Sequence, residues 1–169
     1  MTKSEMTELF AVMSIAWPNS ELFKNGVGKL GPTISLWASC LADLDCATAQ
    51  KAVAKLAAEC KFPPTIAEMR DAADRVGAEI RHEAERAYLT VRNRLQLMEA
   101  IGSTPDEIYM GLPSRSRKVI DVLGGMEAFI QPDKPVFNMD GFVGTYERLL
   151  RSNPARIPGA GQGMKQLAE

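Results

Sequence analysis

Apolar residues recur at steps of three and four from the start of the chain, which is the spacing of a buried face on an α-helix. The first such stripe consists of Met6, Leu9, Phe10, Met13 and Trp17. Thr2 and Glu5 precede it with the spacing of a capping box, in which each side chain accepts a hydrogen bond from the other residue's backbone. Because Pro18 cannot continue a helix, the pattern predicts a first helix that begins after Thr2 and ends before Pro18.

A second and a third helix are predicted on similar grounds. Residues 19–31 contain three glycines and are predicted to form a loop. Pro32 suits the first turn of the second helix, where a missing N–H costs nothing. Its buried side is predicted to consist of Ile34, Trp37, Leu41 and Leu44. Asp45 is predicted to cap the third helix, which Pro63 and Pro64 would end.

The fourth predicted helix begins with a second capping box, formed by Thr65 and Glu68. Residues 66–101 contain no proline and keep helical spacing of their apolar positions. A single helix of that length would span about 54 Å. Gly77 weakens its middle by about 1 kcal/mol relative to alanine, so the sequence leaves open whether there is one helix or two.

The remainder of the chain shows a weaker pattern. An irregular region is predicted to start at residues 103–105, and a short helix over residues 114–123, closed by Gly124 and Gly125. A last helix is predicted over residues 138–151. Beyond it, glycines and prolines with few large apolar residues predict a flexible tail.

The predicted fold class is therefore all-α, because strand-like alternation persists nowhere in the sequence. We expect a small N-terminal helical bundle in residues 1–76 and a long helix with a smaller helical C-terminal region in residues 77–152. The flexible tail would occupy residues 153–169.

Composition limits the kinds of partner and site. Apolar residues make up 46% of the chain, enough for a packed core, and 20 Lys and Arg oppose 21 Asp and Glu. With this near-neutral balance, direct binding to nucleic acid is expected to be weak or absent. No apolar run approaches the roughly 20 residues of a membrane-spanning helix, so no membrane partner is expected. Cys40, Cys46 and Cys60 are expected to be buried, reduced thiols of a cytoplasmic protein without a signal peptide.

Candidate catalytic and metal-binding patterns fail on inspection. Residues 25–29 loosely resemble a phosphate-binding loop, but Phe23 and Leu30 occupy positions that need Gly and Ser or Thr. His82 is the single histidine and no Cys-x-x-Cys spacing exists, which argues against a zinc site. No nucleophile, base and orienting group assemble. We therefore expect a binding protein, not an enzyme, with no cofactor and no metal.

The candidate partner-binding residues lie in the C-terminal half. Arg115 and Lys118 are three positions apart and would share a helix face, which could contact an acidic surface or simply be solvated. The last helix contributes Arg148. The tail could be a plain tail, or it could carry a short element that orders on contact. The tail residues in question are Arg156, Ile157, Met164 and Leu167.

Several motifs follow one another in a characteristic order between residues 4 and 151. They are Trp17 with Pro18; Ile34 to Ala38, which includes Trp37; an alanine-rich helix ending in Lys61 to Glu68; Leu112 with Pro113; Val122 to Gly125; and Phe142 with Tyr146 and Glu147. This order resembles that of the phage replicative helicase loader/inhibitor family. The segment Phe62-Pro63-Pro64-Thr65-Ile66 is the most distinctive of these motifs.

The resemblance implies a small helical N-terminal domain and a mobile C-terminal part that engages the partner. Members bind a hexameric replicative helicase of the DnaB type, hold it inactive, and help deliver it to a phage origin together with an origin-binding protein. It also implies that Trp17, Trp37 and Phe62 are core anchors and that the protein acts in the cytoplasm of a bacterial host. The alternatives left open are a small helical DNA-binding regulator that uses residues 114–123, and an inhibitor of another host machine.

Overall fold

The computed structural model describes residues 1–130 and 138–152. Within these residues the fold consists of eight α-helices and two short 3₁₀ turns, and no β-strand occurs. The prediction of an all-α fold is confirmed. The helices form two compact units, Met1–Gly77 and Ala78–Ser152. The division into a bundle, a C-terminal region and a tail stays a prediction.

The first unit contains three complete helices and the start of a fourth. The helices are α1 (Lys3–Ala16), α2 (Gly31–Cys40), α3 (Cys46–Glu59) and α4 (Ile66–Ile101). Between α1 and α2 lie two 3₁₀ turns, Glu21–Phe23 and Val27–Lys29, where the sequence predicted only a loop.

The core of the first unit is centred on Phe10, because α1 packs against both α2 and α3. The Phe10 ring meets Trp37 edge-on with centroids 5.2 Å apart and Phe23 with centroids 6.3 Å apart. Leu44, predicted to be buried, is half-exposed because α2 ends at Cys40. The other large buried apolar residues include Met6, Leu9, Met13, Trp17, Ile34, Leu41, Val53, Leu56, Met69 and Val76.

All three predicted N-terminal caps of this unit are present. The Thr2 amide donates to Glu5 Oε2 at 2.7 Å while the Glu5 amide donates to Thr2 Oγ1 at 3.3 Å. Thr65 and Glu68 repeat the same pair of hydrogen bonds at 2.7 and 3.3 Å. Asp45 accepts from the Thr48 amide at 2.9 Å. Each cap satisfies backbone donors that a helix start would otherwise leave unpaired.

The long helix α4 is continuous over 36 residues, which decides between the two alternatives left by the sequence. Gly77 lies within it, and a Cβ built at that position meets no atom within 4 Å. The cost of glycine is therefore purely a matter of backbone entropy, about 1 kcal/mol, and the helix tolerates it.

The second unit contains the rest of α4 and four shorter helices. These are α5 (Pro105–Met110), α6 (Ser114–Val122), α7 (Gly125–Ile130) and α8 (Met139–Ser152). Helix α8 packs on α6, and α7 contacts α5 and α6. The ring of Tyr88 on α4 lies 5.7 Å from that of Phe142 on α8, centroid to centroid.

Two of these helices were not predicted. The region that begins at residues 103–105 is not irregular, because Thr104 and Glu107 form a capping box and Pro105 occupies the first turn of α5. Gly124 and Gly125 do end α6, with φ of 109° and 83°, but α7 begins directly at Gly125. Glycine reaches such angles without steric cost, so a tight turn joins the two helices.

The cysteines are less enclosed than predicted. Cys40 is exposed, Cys46 and Cys60 are half-buried, and all three thiols are free. The expectation of buried thiols was wrong because all three residues lie at helix ends: Cys40 is the last residue of α2, Cys46 is the first residue of α3, and Cys60 follows the last residue of α3.

Candidate partner-binding surfaces

Glu83 on α4 connects three helices of the second unit. Its Oε1 accepts a hydrogen bond from the Arg115 guanidinium of α6 at 2.9 Å and another from the Tyr146 hydroxyl of α8 at 3.1 Å. Tyr146 is buried. Burial, followed by the charge of Glu83 and the hydrogen bond to it, raises the pKa of the Tyr146 hydroxyl. The Arg115 guanidinium is therefore already paired with a carboxylate of its own unit.

The outer face of α6 carries Arg115, Lys118 and Val122, which are spaced three and four positions apart. All three are exposed, and Val122 presents 64% of its surface to solvent. The opposite face is buried and consists of Ser116, Val119 and Ile120. The structure therefore places the predicted residues Arg115 and Lys118 together on one accessible face. Whether this face binds a partner stays a prediction.

Arg117, which lies between Arg115 and Lys118 in the sequence, packs against residues of α5. Its guanidinium carbon lies 6.0 Å from the centroid of the Tyr109 ring, and its Nη1 lies 3.9 Å from the sulfur of Met110. The Tyr109 hydroxyl donates to Asp121 at 2.7 Å, and this hydrogen bond raises the tyrosine's pKa. Arg117 therefore packs α5 against α6.

The other predicted binding residues are distributed differently. Arg148 is exposed on α8 and donates within its own helix, to the Gly144 carbonyl at 3.3 Å and to Thr145 Oγ1 at 3.0 Å. Arg156, Ile157, Met164 and Leu167 lie outside the described residues.

In the first unit, Arg70 joins the start of α4 to the connection between α2 and α3. Its guanidinium donates to both carboxylate oxygens of Asp43, at 2.9 and 3.0 Å, and to the Cys40 carbonyl at 2.5 Å. The hydrogen bonds from Arg70 hold the pKa of Asp43 below its usual value. A bidentate pair of this kind fixes geometry, so we assign Arg70 a structural role.

Phe62 corrects one of the expectations drawn from the resemblance. Trp17 and Trp37 are buried, with 5% and 7% of their surfaces exposed, whereas Phe62 is 72% exposed. Trp17 closes the core at this point, and its Nε1 donates to the Cys60 carbonyl at 3.0 Å. Phe62 follows outside that contact, so it is not a core anchor. One signal was available in the sequence, since Phe62 belongs to no periodic apolar stripe.

A cleft that no sequence pattern predicted opens beside Phe62. It encloses about 320 Å³ and lies where the end of α1 approaches the segment after α3. Its lining consists of Ala16, Trp17, Pro18, Asn19, Ser20, Lys61, Phe62 and Pro63. It thus combines the aromatic–proline pair of the first helix with the most distinctive motif of the chain.

Among residues 1–130 and 138–152, no three His, Cys, Asp or Glu side chains are placed to hold a metal ion. In the same residues no helix has the length and apolar composition to cross a membrane.

The fold and its surfaces define an all-α protein whose first unit is a small, capped helical bundle. Residues 1–70 match the family model for the N-terminal domain of a phage helicase loader/inhibitor family, that of gp39 of SPP1. The match spans α1, α2, α3 and the start of α4, and it confirms the predicted resemblance over these residues. No curated protein and no solved structure matched the chain.

Proposed function

We propose that this protein is a phage or prophage replication accessory factor that binds the hexameric replicative helicase of its bacterial host. The observation that carries the proposal is the match of residues 1–70 to the N-terminal domain of a helicase loader/inhibitor family. In this proposal the protein binds a DnaB-type hexamer, holds it inactive, and aids its loading at an origin with an origin-binding protein. It acts in the cytoplasm by contact alone, without catalysis or a cofactor.

The proposed contact surface lies on the second unit and in residues 153–169. The exposed face of α6 supplies Arg115 and Lys118 beside the apolar surface of Val122, and α8 supplies Arg148. Arginine next to exposed apolar surface is a common composition for protein interfaces. From the tail we propose Arg156, Ile157, Met164 and Leu167, because isolated apolar residues in a polar segment are typical of elements that order on contact.

A pull-down of the purified helicase with this chain, followed by an ATPase assay of the complex, tests the proposal. We expect a complex at micromolar concentrations and a lower ATPase rate than that of the free hexamer. Lys118→Ala should weaken binding several-fold, whereas Lys29→Ala, which changes an exposed lysine of the first unit, should not. Failure to form a complex at micromolar concentrations would reject the proposal.

The contribution of the tail is tested by comparing the full chain with a chain that stops at Ser152. Both are first checked for equal helical content and are then titrated with the helicase. We expect the shorter chain to bind more weakly, because it lacks the contacts proposed for Ile157, Met164 and Leu167. Ordering costs about 1–2 kcal/mol per residue, so only a short segment of the tail is expected to fold on contact. Equal affinities would remove the tail from the interface and leave α6 and α8.

The exposed pair Arg115 and Lys118 also supports a second candidate, a DNA-binding regulator that uses α6. Phosphate contacts make affinity fall steeply as the salt concentration rises. A gel-shift assay with duplex and single-stranded DNA at low and moderate salt distinguishes the two functions. The absence of any shift at low salt would exclude DNA binding. An inhibitor of another host machine would instead be revealed by affinity purification with partner identification.

A further inference from the structure

Phe62 is an exposed aromatic side chain on a backbone that the structure holds in place. The carbonyl of Cys60 accepts the Trp17 indole N–H at 3.0 Å, and Pro63 and Pro64 follow Phe62 directly. Proline fixes its own φ and restricts the residue before it to extended conformations. A side chain that is presented in this way loses little backbone freedom when it binds a partner. Its 72% exposure leaves most of the side chain accessible to a partner.

The cleft beside Phe62 has the size and lining of a binding site for a side chain. Its volume of about 320 Å³ is at the lower end of the range for ligand-binding clefts. Trp17 and Pro18 line it from the end of α1, and Phe62 and Pro63 line it from the segment after α3. Phe62, Pro18 and Pro63 offer accessible aromatic and proline surface, and the largely buried Trp17 contributes only an edge, so the lining favours a large apolar side chain over a polar one.

The charge at the cleft has one sign. Of the described residues that line it, Lys61 alone is charged, and its ammonium lies 5.9 Å from the centroid of the Phe62 ring. Glu21, which follows the lining residue Ser20, is not part of the lining and is paired with Lys24. The local field therefore favours an anionic group next to the apolar site.

We propose that the cleft lined by Trp17, Pro18, Lys61, Phe62 and Pro63 is a docking site for an acidic, apolar peptide segment of a partner protein. A large apolar side chain packs between Phe62 and Trp17, and a neighbouring carboxylate pairs with Lys61. The residues of this site belong to the first unit, and none of them is among the residues proposed to contact the helicase. It does not require the helicase to be the partner.

Two blocked tetrapeptides, Glu-Leu-Phe-Glu and Lys-Leu-Phe-Lys, probe this site on the full chain. They share the same apolar centre and differ only in charge. Binding is followed through the Nε1–H resonance of Trp17 in heteronuclear NMR spectra. We expect the acidic peptide to shift this resonance and to bind about tenfold more tightly than the basic one, with a difference that shrinks as salt is added.

Three variants locate the binding. Phe62→Ser should abolish the shift, and Lys61→Glu should reverse the preference between the two peptides. Leu36→Ser is the matched control, because Leu36 is also exposed, at 58%, but does not line the cleft. Equal binding of both peptides, no shift at millimolar concentration, or equal effects of Phe62→Ser and Leu36→Ser would each overturn the proposal.

A second copy of the chain is the competing occupant, and sedimentation equilibrium tests for it. We expect that Phe62 mediates no self-association, so that the wild type and Phe62→Ser show the same molecular mass at every protein concentration. Self-association that Phe62→Ser removes would overturn the proposal, since the cleft would then bind another copy. The helicase is absent from all of these experiments. A negative helicase pull-down would therefore reject the proposed function without affecting the proposed docking site.

Discussion

Tyr146 donates a hydrogen bond to Glu83 across 3.1 Å, although the two residues are 63 positions apart in the chain. Arg115 donates to the same carboxylate oxygen at 2.9 Å. Tyr146 lies on α8, Glu83 on α4 and Arg115 on α6, so this one carboxylate connects three helices that are far apart in the sequence. Because Tyr146 is buried, its hydroxyl would lose this charged acceptor if Glu83 were removed.

Tyr146→Phe should lower the free energy of unfolding by about 1–2 kcal/mol, since the hydrogen bond it removes ends on a charged acceptor. Chemical denaturation followed by circular dichroism measures this change. Tyr109→Phe is the matched control, because its hydroxyl also bonds a carboxylate, that of Asp121, but at an exposed site. A loss for Tyr109→Phe as large as that for Tyr146→Phe would contradict the role assigned to Glu83.

The pair of Arg70 and Asp43 predicts a specific dependence of stability on pH. Hydrogen bonds from Arg70 lower the pKa of Asp43 in the folded state. The unfolded chain then binds more protons around the ordinary aspartate value of about 3.9, so the pair stabilises the fold above that pH. This stabilisation is lost as the pH falls through the lowered pKa of the folded state.

Arg70→Gln should therefore be less stable than the wild type near neutral pH, and the difference should shrink in acid. Chemical denaturation near neutral pH and again in acid measures the free energy of unfolding of the wild type and of Arg70→Gln. Asp43→Asn is the companion variant. A difference that stays constant, or grows, as the carboxylate is protonated would show that Arg70 acts by packing alone.

Truncation of Trp37 should destabilise the fold strongly, whereas truncation of Phe62 should have almost no effect on stability. Trp37 is buried and contacts the Phe10 ring, so Trp37→Ala should cost about 3–5 kcal/mol and lower Tm sharply. Phe62→Ala should change stability by no more than about 0.5 kcal/mol, because the side chain is exposed. If Phe62→Ala proved as destabilising as Trp37→Ala, the account of the first unit would be wrong.

Residues 1–77 should fold as an independent fragment. The core of this unit is complete within it, since Met69, Ala72, Ala73 and Val76 of α4 are buried in addition to the residues of the first three helices. Thermal melting followed by far-UV circular dichroism, together with the dispersion of the NMR spectrum, shows whether the fragment is folded. The same fragment with Trp37→Ala serves as the destabilised control. A fragment without a cooperative melting transition would contradict the predicted N-terminal domain.

Local rules predicted the parts of the fold that depend on neighbouring residues. The caps at Thr2, Asp45 and Thr65 and the buried stripe of α1 follow from spacing alone. The start of α5 was equally visible as the pair Thr104 and Glu107 but was not recognised. Helix α7 had no such signal, because it begins at a glycine.

The surfaces were less predictable, since they depend on contacts between distant positions. The spacing of Arg115 and Lys118 placed them on one helix face, but nothing in the sequence indicated that Arg115 would pair with Glu83. The cleft arises where Trp17 and Phe62 meet across 45 positions of sequence, so no local pattern encodes it. The family resemblance implied that Phe62 is a core anchor, but the residue belongs to no periodic apolar stripe, and the structure leaves it 72% exposed.

The central claim is that this chain binds and restrains a replicative helicase. The most direct test is a titration of the purified helicase hexamer with the full-length protein while its ATPase rate and the mass of the complex are recorded together. The account predicts that the rate falls to a plateau as a complex of fixed stoichiometry forms at micromolar concentrations. An unchanged rate and an uncomplexed hexamer in the presence of folded protein at those concentrations would contradict it.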